Sequence, residues 1–130
     1  AFAADLDKYM ADLDPAKDEA TIITATDWMR DKKEEKAISK LVALLSDSRD
    51  MVRLHAVMAL GYIGEEDPLD AIHNVVLNDS NASVRYTAIL SVMRIGSDKS
   101  EATLRQAKDK ETDPAAKDLL DKLDKKSKEK

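Results

Sequence analysis

The chain has 130 residues, of which 36% are charged and 43% are hydrophobic, and its formal net charge is −5. This length predicts one domain with a modest core, and the apolar content excludes a mostly disordered chain. The excess of acid argues against a protein that binds duplex nucleic acid, because phosphate contacts need a concentrated basic surface.

Two absences narrow the class of protein further. The sequence has no cysteine, which excludes disulfides and thiolate metal sites. No apolar run approaches the roughly 20 residues that a membrane-spanning helix needs. Residues 1–4, Ala-Phe-Ala-Ala, have the small-x-small pattern of the end of a secretory signal, so export and a cytoplasmic location both stay open.

Apolar residues recur at helical spacing along almost the whole chain. The predicted helices are, in chain order, 4–13, 17–30, 37–45, 51–63, 68–77, 82–95, 99–109 and 114–123. Short apolar runs lie inside these longer patterns, so no strand is predicted. Residues 124–130 contain no apolar side chain, and we expect them to form a disordered basic tail.

Every proline in the sequence follows an aspartate, in the pairs Asp14-Pro15, Asp67-Pro68 and Asp113-Pro114. Aspartate is a favoured N-cap of a helix, and proline is tolerated at the first helical position because its missing N–H costs nothing there. The three pairs therefore predict three helix starts.

The segment Asp47–Gly64 is nearly repeated as Asp79–Gly96, with a displacement of 79 − 47 = 32 residues. A fixed period in this range is typical of stacked helix pairs. It predicts an all-α fold, an α-solenoid of about four repeats. The expected division is a single domain over 1–123, with units at 1–13 (partial), 14–46, 47–78, 79–112 and 113–123 (partial).

The repeated residues are expected to form the contacts between units. Small side chains at Ala56 and Ala88 suit close helix approach, while Leu60, Val92 and the equivalent Trp28 fill the space between layers. The polar members of the repeat are Asp47, Arg53, Asp79 and Arg85, and Gly64 and Gly96 suit left-handed helix ends. An arginine beside an aspartate in the neighbouring turn can pair with it, so we expect these residues to set the register between units.

The pattern at Leu41–Gly64, L-x-x-L-L-x-D-x-x-x-x-V-R-x-x-A-x-x-A-L-G-x-I-G, resembles the short HEAT-like repeat, which also occurs in phycobilisome lyases. The resemblance is strong over 41–96 and extends to about 123. It implies a right-handed stack of antiparallel helix pairs, in which the second helices line a concave binding face. The repeat pattern is structural, so it transfers no catalytic residue.

Other residues give no sign of an enzyme or of a bound cofactor. His55 and His73 each lack a second histidine at helical spacing, and no cysteine completes a metal set. The acidic runs are typical of solvated turns, and three glycines cannot form a phosphate-binding loop. We therefore predict a protein that is not an enzyme and has no cofactor and no metal site.

The polar faces of the second helices are the predicted partner surface, a groove of mixed but locally basic character. Its candidate residues are Lys36, Lys40, His73, Asn74, Arg105 and Lys108. The predicted function is a monomeric, non-catalytic scaffold that takes a peptide or protein on its concave face. The alternative is an accessory, lyase-like subunit that assists a chromophore-bearing protein.

Overall fold

The computed structural model describes residues 1–128, which are helical almost throughout. The helices are α1 (Phe2–Asp12), α2 (Glu19–Lys32), α3 (Ile38–Leu44), α4 (Asp50–Ile63), α5 (Leu69–Asn78), α6 (Ala82–Ile95), α7 (Glu101–Lys110) and α8 (Pro114–Lys128). Short 3-10 turns, Glu35–Ala37 and Asp98–Ser100, lead into α3 and α7. No strand occurs within this range, and the predicted all-α class is confirmed.

The helices form two layers. The first layer contains α2, α4, α6 and α8, and the second contains α3, α5 and α7, while α1 packs on α2. The core lies between the layers, where Leu41, Leu60, Ile72 and Ile89 are fully buried. Burying a side chain of this size contributes about 1.5–3 kcal/mol, so this shared core holds each helix pair to the next.

In the middle of the stack, the first layer is the more closely spaced of the two. α4 lies directly against α2 and α6, whereas α3 and α5 hardly touch. A Cβ atom added to Gly61 in α4 would lie 2.5–2.7 Å from the Oγ, Cβ and Cα atoms of Ser91 in α6, so only glycine fits there. Ser91 Oγ donates to the carbonyl of Val57 at 2.7 Å.

Helix ends follow the predicted glycines, but the predicted starts are only partly right. Gly64 and Gly96 end α4 and α6 in the left-handed conformation, with φ of 82° and 68°. Asp113 caps α8 by accepting from the N–H of Ala116 at 3.0 Å, as predicted. The Asp67-Pro68 pair lies just before α5, which begins one residue later than expected, at Leu69.

The prediction that a helix starts at Asp14-Pro15 is wrong. This pair forms a turn, in which Asp14 Oδ1 accepts from the N–H of Ala16 at 2.9 Å. α2 starts at Glu19, where Asp18 accepts from the N–H of Thr21 at 2.8 Å. Asp18 is a second N-cap in the sequence and stands closer to Ile22, the first buried residue of this helix, so capping and burial agree there.

The predicted disordered tail is also wrong where the structure describes it, since α8 continues to Lys128. Ion pairs one helical turn apart support this last part, with Lys122–Asp118 at 2.9 Å and Lys128–Asp124 at 3.1 Å. Asp124 also pairs with Lys108 of α7. Residues 129 and 130 of the predicted tail lie outside the described residues.

Candidate functional site

An arginine in α4 and one in α6 each bridge to an acidic residue that precedes the next first-layer helix. Arg53 donates to both carboxylate oxygens of Asp79 at 2.9 and 3.1 Å, and Arg85 donates to both of Glu111 at 3.0 Å. The Nη1 atoms donate to the carbonyls of Asp47 and Asp79, each at 2.9 Å. We call Arg53, Asp79, Arg85 and Glu111 the arginine ladder.

The acids of the ladder are almost completely buried. The side chains of Asp79 and Glu111 are only 5% and 3% exposed. Burial works to raise the pKa of Glu111, but hydrogen bonds from Arg85 and from the N–H groups of Asp113 and Thr112 outweigh it, so this pKa lies below its ordinary value. Carboxylates this deeply buried require a partner. The ladder can therefore fix the register of neighbouring units.

The sequence analysis missed one residue of the ladder. The first unit of the ladder also differs from the later ones, because its pairing arginine is replaced. Glu111 stands 111 − 79 = 32 residues after Asp79, so the period contained the signal although the residue type changes. Before Arg53 the equivalent position is Thr21, and Asp47 has no arginine of a preceding unit. Arg49 substitutes, donating to Asp47 at 2.9 Å and to the carbonyls of Lys17 and Pro15 at 2.9 and 3.0 Å.

The predicted partner surface lies in the second layer. Its residues are Lys36 in the turn before α3, Lys40 in α3, His73 and Asn74 in α5, and Arg105 and Lys108 in α7. The sequence analysis expected these helices to line the concave face.

Three of these six side chains already hold neighbouring helices together. Lys40 Nζ donates to the carbonyl of Met10 at 2.9 Å, and Lys108 Nζ pairs with Asp124 at 2.6 Å. His73 Nε2 lies 2.7 Å from Ser100 Oγ. Burial lowers the pKa of His73 despite the nearby carboxylate of Asp70.

The other three predicted residues take little part in the packing of the stack. Asn74 accepts from Asn78 at 2.8 Å, Arg105 lies 3.8 Å from Glu101, and the side chain of Lys36 is exposed.

The groove between α3 and α5 is acidic rather than locally basic. Ile38, Val42 and Ala71 lie in it, and the charged residues that line it are Glu35, Lys36, Glu65, Asp67 and Asp70. Glu65 and Glu35 lie close enough that a hydrogen bond and the charge of Glu35 raise the pKa of Glu65.

A second column of residues, at the same period, stands on the first layer near the ends of its helices. Arg30, Tyr62 and Arg94 follow one another at intervals of 62 − 30 = 94 − 62 = 32. Arg94 lies over the Tyr62 ring, with Cζ 4.0 Å from the ring centroid, and donates from Nη2 to Tyr62 Oη at 2.8 Å. Arg30 Cζ is 5.9 Å from the same centroid, and Arg30 donates to Met58 Sδ at 3.3 Å. We call these three residues the arginine–tyrosine column.

Large hydrophobic side chains are exposed mainly on the same two helices. Met51 and Tyr62 of α4 are 45% and 37% exposed, and Met93 of α6 is 40% exposed. Phe2 of α1 is the other large apolar side chain exposed to this degree within residues 1–128. Exposed apolar area of this kind is where soluble proteins meet partners. The sequence analysis did not single out Met51, Tyr62 or Met93.

A sequence model of the family described as HEAT repeats matches residues 38–123. The chain belongs to the HEAT repeat family. The predicted α-solenoid of helix pairs is thereby confirmed, and HEAT repeats are commonly scaffolds for protein interactions and typically non-catalytic. No curated protein matches the chain significantly. The finer resemblance to phycobilisome lyases stays a prediction.

The HEAT match begins at α3, so α1 and α2 precede it. Trp28 of α2 is partly buried against the core and stacks on Tyr9 of α1 with ring centroids 5.0 Å apart. Phe2 lies 5.6 Å from the same ring. The predicted packing role of Trp28 is therefore the one the structure shows, and α1 covers the first end of the HEAT stack.

Among residues 1–128, the remaining polar side chains are not arranged as a catalytic or metal-binding set. His55 Nδ1 lies 2.9 Å from the Asp27 carboxylate, a pair that joins α4 to α2. Among the described residues, no group of three His, Asp or Glu side chains is placed to hold a metal ion. In the same part of the chain, none of the helices has both the length and the apolar character that crossing a bilayer requires.

Proposed function

We propose that this protein is a non-catalytic scaffold that binds a peptide or another protein on the exposed face of α4 and α6, which we infer to be the concave face because these two helices approach each other most closely. The observation that carries the proposal is that Met51, Tyr62 and Met93, three of the four exposed large hydrophobic side chains among residues 1–128, lie on these two helices. Water does not stabilise large apolar groups at a surface, so covering them on binding is favourable.

The composition of this face supports the proposal. Tyrosine, methionine and arginine are enriched in the cores of protein interfaces, where lysine and acidic residues are depleted. The face of α4 and α6 carries Tyr62 and Arg94 of the arginine–tyrosine column together with exposed methionines. The second layer instead presents a groove with four carboxylates, and three of its six predicted partner residues are engaged within the chain.

An affinity capture with two matched variants tests the proposal. The first bait carries Met51→Glu and Tyr62→Ala on the first layer, and the second carries Lys36→Glu and Arg105→Glu on the second layer. We expect a protein captured by the unaltered chain to be lost by the first bait and kept by the second. Circular dichroism and thermal melting show whether both variants keep the fold.

Two outcomes would count against this face. Loss of capture by the second bait alone would place the partner on Lys36 and Arg105, the surface expected from the sequence. If both baits still capture the partner, the altered residues of neither layer take part in binding. We also propose that the protein acts as a monomer. Sedimentation of the purified chain checks this, because self-association would mean that a second copy of the chain can occupy the binding face.

A further inference from the structure

The exposed face of α4 and α6 has few acidic residues although the protein is acidic. The chain has 26 Asp and Glu among its 130 residues, yet α6 contains none and α4 contains only Asp50, at its first position, which pairs with Arg53. The second layer differs, because Glu35, Asp70 and Glu101 lie on or just before its helices. A face with so few carboxylates repels an acidic partner only weakly.

Arg94 is the one arginine without a carboxylate within 4.0 Å in the described part of the chain. The other arginines, Arg30, Arg49, Arg53, Arg85 and Arg105, all have one. Arg94 belongs to the exposed residues, and its guanidinium is held by the ring and hydroxyl of Tyr62. Only Nη2 donates within the chain, so the Nε–H and Nη1 donors remain for an external acceptor.

The position of Arg94 is favourable for binding an acid beside an apolar group. A guanidinium that is already oriented loses less entropy when it binds a carboxylate, and its fork matches the two carboxylate oxygens. Tyr62, directly beneath it, offers an exposed ring, and Met58 of the same helix is half-buried nearby.

From this juxtaposition we propose that the concave face binds an acidic segment of a partner protein. One Asp or Glu side chain of the segment pairs with Arg94, and a neighbouring apolar side chain packs on Tyr62 and the methionines of α4. This inference rests on the proposed function, because it names the partner chemistry of the same face.

The test uses the full chain and two pools of short, fluorescein-labelled peptides. In the acidic pool, several positions are Asp or Glu and the others are Leu, Phe or Ala, while in the basic pool Lys and Arg replace the acids. Fluorescence anisotropy is expected to show tighter binding of the acidic pool, weakening as sodium chloride is raised because salt screens exposed charges. A short single-stranded oligonucleotide serves as a further anionic probe.

Variants of Arg94 decide whether the column is responsible. Arg94→Gln should weaken binding of the acidic pool about tenfold, as expected for one lost charged hydrogen-bond pair. Arg94→Lys keeps the charge without the fork and should weaken it by a smaller factor, about threefold. Arg105→Gln, on the second layer, is the matched control and should bind like the parent. Thermal melting should be unchanged in all three, since both arginines are exposed.

Several results would overturn the inference. These are equal binding of the two pools, unchanged binding by Arg94→Gln, or tighter binding of the oligonucleotide than of the acidic pool. If the protein captured from extract is still lost by the Met51→Glu/Tyr62→Ala bait while Arg94→Gln binds normally, the scaffold function stands and the acidic partner does not. If capture depends on the second layer instead, the proposed function and this inference both fall.

Discussion

Single residues set how closely the first-layer helices approach. Gly61 and Ser91 are in contact where α4 crosses α6. The buried Ser91 hydroxyl is satisfied because it donates a hydrogen bond to the Val57 carbonyl. Ala56 and Ala88, both fully buried, keep the neighbouring turns equally small. A methyl group more or less at such positions changes the spacing of the whole layer, because protein interiors are closely packed.

Gly61→Ala is expected to lower the stability of the fold, although alanine is normally preferred to glycine within a helix. Within a helix, alanine is favoured over glycine by about 1 kcal/mol. At Gly61 the added Cβ would lie 2.7 Å from the Ser91 backbone Cα, so the helices must move apart. We expect a net loss of about 1–3 kcal/mol in the free energy of unfolding, measured in urea. Ser83→Ala, exposed on α6, is the control, and a more stable Gly61→Ala would refute the close approach.

The ladder makes a second prediction at the residue scale. Arg85→Met leaves the buried Glu111 carboxylate without its partner, which should cost about 3 kcal/mol of stability. The double variant Arg85→Met/Glu111→Met removes both charges and is expected to recover much of this loss. An unchanged unfolding midpoint in Arg85→Met would contradict a role for the ladder in holding the register.

Glu111 also predicts how stability depends on pH. Its pKa is lower in the folded chain than the ordinary value of 4.5, so the unfolded chain takes up the proton first as the pH falls. The stability from this group is therefore complete above pH 4.5 and is lost as the pH falls toward the folded pKa. Glu111→Gln cannot titrate, so its unfolding midpoint should depend less steeply on pH below about 4.5. If the unfolding midpoints of parent and variant fall equally steeply below pH 4.5, Glu111 does not make this contribution.

At the scale of helices, α1 acts as a cover for α2. Leu6 and Tyr9 of α1 pack against the core, and Tyr9 stacks on Trp28, the only tryptophan of the sequence. Leu6→Asp should detach α1 and shift the Trp28 fluorescence to longer wavelength as the ring meets water. Ala4→Asp adds the same charge at an exposed position of α1 and should leave the emission unchanged. No shift with Leu6→Asp would mean that another segment covers the ring.

The helices and their stacking were predictable because apolar periodicity and the repeat carry them. Glu111 was missed since a conservative change of residue type hides it in a search for identical letters. The turn at Asp14-Pro15 was missed because Asp18 competes as a cap. The arginine–tyrosine column was missed for another reason: Arg30, Tyr62 and Arg94 share a position but not a chemistry. The partner surface expected on the second layer stays a prediction, because periodicity does not show which layer a partner covers.

At the scale of the whole molecule, stability should spread only between adjacent units. Leu60 lies in the middle of the stack and Leu120 in α8, and both are buried. Leu60→Ala should lower the free energy of unfolding by about 2–5 kcal/mol. The urea midpoints measured by Trp28 fluorescence and by circular dichroism should fall together. Leu120→Ala should lower the amide protection of α8 while the Trp28 transition moves less. Equal shifts of the Trp28 transition in both variants would indicate one fully cooperative unit.

The ladder has a direction, because each arginine is satisfied by an acid 79 − 53 = 111 − 85 = 26 residues further along. A tandem copy of residues 47–78 inserted after Asn78 would bring its own arginine to Asp79 and offer its own leading aspartate to Arg53. Both junctions of the insert would then repeat pairings that already exist. Gene duplication in steps of 32 codons can thus lengthen this array without a new kind of interface, because each buried carboxylate keeps an arginine 26 residues before it.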